Sequence, residues 1–209
     1  IEQSRITINS MAADAELNFS GALALLSNYT DEDFAEVQRM EGVIDRYEDI
    51  LGTYLVKLTG RELSSRQSAD VSKFLHTISD FERISDHALN VAEAAQEISQ
   101  KGITFSGDAR HELSVLTSAL REILHNAIRA FIIEDLELAK RVEPLEELID
   151  ALCDEMKLHH VDRLQKGVCT LSQGFVFNDL LTNYERVADH CSNICLLYTS
   201  PSPRDVEES

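Results

Sequence analysis

Apolar residues recur every third or fourth position through most of the chain, which predicts helices and no sheet. The first stretch, from about residue 3 to 28, places Ile8, Met11, Ala15, Phe19, Ala22 and Leu26 on one side. Thr30-Asp31-Glu32-Asp33 then reads as a capped helix start. The helix that follows carries Val37, Met40, Ile44, Tyr47, Leu51, Tyr54 and Leu58, alternating steps of three and four, and Gly60 ends it. A third helix is predicted from about Ser65 to Gln100, with Leu75, Ile78, Phe81, Ser85, Ala88, Ala92 and Ala95 in phase and Gly102 as its stop. The pattern then restarts. Ser106 can cap a helix over about 107–133, and Glu134-Asp135 opens another, with the stripe Leu138, Val142, Leu145, Ile149, Leu152 and Met156. Pro144 falls inside that stripe and is expected to kink or break it. A loop over 167–172 precedes a last helix from about Gln173 to Ile194.

This restart is an internal duplication. MEGVID at 40–45 matches LEELID at 145–150, and DFERISDHALN at 80–90 matches NYERVADHCSN at 183–193. The second match keeps Glu, Arg, Asp, His and Asn at identical spacing. The offset moves only from 105 to 103 residues between the two matches. Hydrophobic phase is easily shared by unrelated helices; five particular polar residues are not. The expected fold class is therefore all-α, as two tandem three-helix bundles: residues 1–102, then 103–194. Residues 195–209, rich in Ser and Pro where the first copy continues as helix, are expected to be a disordered or foreign tail. Because the chain begins at Ile1 rather than Met, it is expected to be a piece of a longer protein.

The repeated segments carry four Glu-x-x-x-Asp motifs: Glu41/Asp45, Glu82/Asp86, Glu146/Asp150 and Glu185/Asp189. A four-residue step puts both carboxylates on one helix face. Acidic pairs at this spacing are common in a chain with 37 acids and are most often solvated faces. Their phase separates these four from the rest, because each acid directly follows a position of the apolar stripe. Each repeat has one pair on its second helix and one on its third, so antiparallel packing would let two pairs face one another. Four converging carboxylates must be protonated, paired with Arg83 or Arg186, or bridged by a cation. Oxygen-only ligand sets suit hard or borderline cations such as iron, manganese, magnesium or calcium. Asp49 and Asp154 extend the second-helix motifs more weakly. Asn90 and Asn193 lie one turn beyond the third-helix motifs, and His87 and His190 are adjacent; all could support such ligands.

Charge and motif content narrow the function. A net charge of −18 disfavours binding to a phosphate backbone, so no nucleic-acid partner is expected. No run approaches the length of a membrane span. The cysteines, Cys153, Cys169, Cys191 and Cys195, form no Cys-x-x-Cys and fit a reducing compartment. A di-iron storage bundle would need Glu-x-x-His on two helices, and only Glu122-Ile123-Leu124-His125 is present. No phosphate-cradling glycine loop or nucleophile elbow occurs, so no catalytic residue is assigned and the chain is not expected to be an enzyme.

The segments ERISDHALNVAE and ERVADHCSNI resemble the third-helix signature of PhoU-type proteins, and MEGVID and LEELID resemble the second-helix signature. The likeness is nearest to the PhoU-like domain at the C-terminal end of sodium/phosphate cotransporter family proteins. It is carried by YLVKLTGRELS at 54–64, GITFSGDARHEL at 102–113 and the segment 159–194. The tail and Pro144 depart from it. The resemblance implies two three-helix bundles related by a pseudo-twofold, and a regulatory role in phosphate uptake. It also implies multinuclear metal sites, iron first, with manganese, zinc or magnesium as alternatives. Glu41, Asp45, Glu82 and Asp86 would line one site, and Glu146, Asp150, Glu185 and Asp189 the other. The partner would be a membrane phosphate transporter domain, fused or separate, reached from the cytosolic face of the inner membrane, with a homodimer as a further expectation. Two other readings remain: a free-standing regulator between a transporter and a sensor kinase, and a metal-storage bundle without regulatory function.

Overall fold

A computed structural model describes residues 2–199. Among these residues there are six long helices, one short helical turn and no strand. In the first repeat, α1 spans Glu2–Leu25, α2 spans Asp31–Thr59 and α3 spans Ser65–Lys101. In the second, α4 spans Gly107–Ile133, α5 Leu136–Ala139, α6 Val142–Gln165 and α7 Leu171–Thr199. The all-helical architecture predicted from periodicity is the one observed. Within each repeat the three long helices pack on one another, while α1 meets α4 and α3 meets α7 across the repeats. Those cross-contacts join equivalent helices, as a pseudo-twofold requires.

Local chemistry sets the helix ends. The Thr30 and Ser106 side chains accept from Asp33 N and Ala109 N, filling the first-turn amide vacancies predicted for them. Gly102 adopts a left-handed conformation with φ of 61° and returns its N–H to Ile98 and Ser99 carbonyls. Two capping boxes were not anticipated. Ser64 with Gln67 starts α3, and Thr170 with Gln173 starts α7 in the same way. The second box moves the start of α7 to Leu171, two residues before the predicted position, so the loop is shorter than expected. At its other end α7 runs on to Thr199, past the predicted stop at Ile194; residues 200–209 of the predicted tail lie outside the described residues.

Pro144 acts as predicted. The second helix of repeat two is broken, with α5 as a separate turn capped by Asp135. Pro144 then occupies the first turn of α6, where its missing N–H has no intrahelical acceptor to lose.

The core runs continuously through both repeats. Ile8, Met11, Phe19, Phe81, Leu116 and Tyr184 are all fully buried. One predicted stripe drifts: in α2 Leu55 is buried, whereas Tyr54 is 48% exposed. Leu55 stands eighteen residues, five full turns of 3.6, after the buried Val37 and returns to its face, whereas Tyr54 falls about 100° to one side. No helix among the described residues is long and apolar enough to cross a membrane. The four cysteines are unpaired, and all but Cys169 are buried.

Candidate metal centre

The acids follow the core as their phase predicts. Ile44, Phe81, Ser85, Ile149, Tyr184 and Ala188 are at most 1% exposed, and an acid of the four motifs comes directly after each. Each carboxylate therefore emerges at the rim of a helix contact, α2 with α3 in one repeat and α6 with α7 in the other.

In the second repeat, Glu146 and Asp150 of α6 and Asp189 of α7 each place a carboxylate oxygen within 4.8 Å of the others. All three residues are half-buried. Burial, then the charges of Asp150 and Asp189, raise the pKa of Glu146. Burial, then Asp189 and Glu185, raise that of Asp150. The fourth predicted ligand, Glu185, stands outside this triad and accepts from Lys157 Nζ at 2.7 Å. Lys157 was not singled out from the sequence, although it stands seven residues after Asp150 on the same helical face. Its counterpart in the first repeat is Gly52, so this clamp belongs to one site only.

The first repeat holds its acids more loosely. Glu41 has its pKa raised by burial and then by Asp45 and Asp86, so the two helices do bring these groups near one another. Glu82 is raised chiefly by burial, against a lowering from Arg83. The Arg83 guanidinium lies 3.6 Å from Glu82 and 3.8 Å from Asp86. Among the described residues, only the triad of the second repeat brings three carboxylate oxygens together.

The candidate supporting groups divide. Arg186 reaches Asp189 at 3.5 Å, and Asp154 lies 3.6 Å from Lys157, so both belong to the acidic cleft. Asp49 is exposed. His87, Asn90 and His190 sit elsewhere, on the α3–α7 contact between repeats. His87 Nδ1 donates to Asn183 Oδ1 at 2.8 Å, and Asn90 Nδ2 donates to the same oxygen at 3.1 Å. Asn183 fixes its own orientation by donating to the Asp179 carbonyl. His190 Nδ1 lies 2.9 Å from Asp80 Oδ1. The two imidazole rings lie 5.7 Å apart between centroids, tilted by 34° to one another. Asp80 and Asn183 are equivalent in the two repeats, so the bonds are reciprocal about the pseudo-twofold. These histidines tie the repeats together, and their hydrogen-bond partners lie across this junction rather than among the motif acids. Asn193 is exposed, next to Asp80 and His76 on the same junction.

The donor set fits a hard cation. It is all oxygen, partly desolvated and mutually repelling, and in the second repeat three donors already converge. A pH prediction follows for metal-free protein. A carboxylate whose folded pKa is raised binds more protons folded than unfolded, so its contribution to stability is present at low pH and lost as pH rises through the folded pKa. A Glu146→Gln/Asp150→Asn variant removes this loss. With chelator present, it is expected to melt above the parent at about pH 7 and to converge with it towards about pH 4. Parallel melting curves across that range would refute the assigned repulsion.

Comparison with known proteins accords with the fold and the duplication. The PhoU domain family profile matches residues 8–95 and 113–197. A "Phosphate-specific transport system accessory protein PhoU homolog 1" of Thermotoga maritima is 29% identical over 116 residues, 56% of this chain and 49% of that protein. That alignment spans about half the length of the Thermotoga protein. A PhoU homolog of Deinococcus radiodurans, named in the same terms, is 22% identical over 76% of this chain and 74% of its own. Among solved structures, PhoU from Pseudomonas aeruginosa superposes with a TM-score of 0.88 at 21% identity, covering 94% of each chain. A phosphate transport system regulatory protein PhoU from Streptococcus pneumoniae gives 0.82 at 17% identity, covering 94% of this chain and 92% of its own.

Proposed function

That the chain belongs to the PhoU domain family is the premise from which we propose its function: a non-enzymatic regulatory domain of phosphate uptake whose acidic clefts bind metal ions. The convergence of Glu146, Asp150 and Asp189 carries the metal part of this reading. These three would hold a cation in the second repeat, and Glu185 would join them by leaving Lys157. Glu41, Asp45, Glu82 and Asp86 would serve the first repeat once Arg83 is displaced. Iron is the leading candidate, with manganese, zinc or magnesium as alternatives. A bound cation would supply the positive charge the clefts lack and tie the second helix of each repeat to the third.

The regulatory part rests on the family and on what its relatives are named for. The domain acts by contact with a membrane phosphate transporter from the cytosolic side. Attachment to a sodium/phosphate cotransporter is the arrangement that the segments YLVKLTGRELS and GITFSGDARHEL favour. A separate, free-standing regulator is the other arrangement, and it accords with relatives named as accessory proteins of a phosphate-specific transport system.

The test is elemental analysis of protein purified without chelator, beside an Asp86→Ala/Asp189→Ala variant. The parent is expected to carry stoichiometric metal and the variant to lose most of it. The same pair, produced in cells whose phosphate uptake is followed with labelled phosphate, is expected to differ in uptake. Equal metal content in the two proteins would sink the cluster assignment. Equal uptake with unequal metal would separate the metal from the regulation.

A further inference from the structure

Helices α1 and α4 run antiparallel and are tied together along part of their length. Arg5 pairs with Glu134, and His125 Nδ1 lies 3.0 Å from Glu16 Oε1. Beyond Glu16 the two helices are not bridged in this way. There a cleft of about 540 Å³ opens between them, closed by the end of α3, the segment after it and the middle of α7. Its volume is that of an ordinary small-molecule site.

The walls differ in chemistry. One face of α4 presents Arg110, Leu113, Ser114, Thr117, Ser118 and Arg121, at helical spacing. The facing wall is mainly apolar, with Leu23, Leu26, Ile98, Ile103 and Phe105, interrupted by Ser27 and Thr104. Tyr184 forms the base; it is fully buried, and its hydroxyl lies 3.1 Å from Thr117 Oγ1. The charge of the lining is opposite to that of the protein. The chain has 37 acidic residues against 19 Lys and Arg, yet the cleft is lined by two arginines and no acid. Neither Arg110 nor Arg121 forms a salt bridge among the described residues, so no protein carboxylate competes for either guanidinium.

We propose that this cleft binds an elongated organic anion with an apolar body. Its anionic end meets Arg121 with the Thr117 and Ser118 hydroxyls, and its body lies against Leu26, Ile103 and Leu113. Arg110 stands eleven residues before Arg121, about 16 Å along the helix. It receives a second anionic or carbonyl group at the far end. A bare inorganic anion would leave the apolar wall in water, so an apolar body is part of the specification. The site is separate from the acidic clefts and does not depend on their metal.

The probe is anilinonaphthalene sulfonate, titrated by fluorescence against the whole chain and compared with its uncharged parent, phenylnaphthylamine. The host carries Phe175→Ser, which removes an exposed aromatic on α7 that could hold dye non-specifically. Saturable one-to-one binding is expected, weakened about tenfold by Arg121→Gln and lost with Ser114→Trp, which fills the cleft while circular dichroism stays unchanged. Weaker binding of the uncharged dye is expected as well. Dodecanoate and adenosine monophosphate then distinguish an aliphatic from an aromatic body according to which displaces the dye. Absence of saturable binding, binding indifferent to Arg121→Gln and Ser114→Trp, or displacement by neither anion would overturn the proposal.

Discussion

Glu112→Ala is expected to destabilise the protein by about 3 kcal/mol, the lower end of the range for removing one partner of a buried ion pair, because Arg163 is buried and Glu112 only half-buried. Glu112 of α4 faces the last turn of α6. Its Oε2 accepts from Arg163 Nη1 at 2.9 Å, and its Oε1 lies 2.7 Å from His159 Nδ1. Arg163 is only 8% exposed, with its guanidinium 5.3 Å from the Phe177 ring centroid. Its Nη2 has no acceptor among the described residues. Without Glu112 a buried cation keeps one aromatic face and no anion. Most of the loss is thus the cost of the orphaned charge rather than the worth of the pair. A Glu112→Leu/Arg163→Met double substitution is expected to be milder than Glu112→Ala alone. Urea denaturation of the single and double variants measures this, and a double variant less stable than the single would refute the explanation.

Phe81→Ala is expected to cost a similar amount, about 3–5 kcal/mol, through a different mechanism. Phe81 is fully buried in α3 and meets Phe131 of α4 edge to face, with centroids 5.1 Å apart and planes at 80°. The contact crosses from one repeat to the other, so a cavity there loosens the junction as well as the first bundle. Phe81→Leu restores most of the volume and is expected to recover much of the loss. Thermal melting of the two variants checks this. A Leu variant no better than the Ala variant would point to ring geometry rather than volume.

Much of this was legible in the sequence. Thr30, Ser106, Gly102 and Pro144 act by local chemistry that one segment fixes, and the structure uses each as read. The phase of the acids was legible too, because a residue following a buried position must emerge at the rim of the helix contact. What escaped depends on packing between segments far apart in sequence. The turn of Glu185 towards Lys157 is a rotamer choice that spacing does not determine. The pairing of His87 with Asn183 needs the docking of α3 on α7, which neither segment reveals by itself. The cleft beside α4 was invisible for the same reason: Arg110 and Arg121 gain meaning only against the wall that α1 and α3 provide.

The junction of the histidines shows what fusing two copies into one chain permits. A dimer of identical half-chains must place the same residue on both sides of its axis. It would have either two carboxylates facing two histidines or two amides doing so, and its two rings would share one protonation preference. In a single chain the partners have diverged, Asp80 on one side and Asn183 on the other. Burial and the neighbouring His190 lower the pKa of His87, whose partner is the neutral amide. The carboxylate is kept for the other ring. Covalent fusion thus released the axis from the rule of identity and let one imidazole face a carboxylate while the second faces an amide.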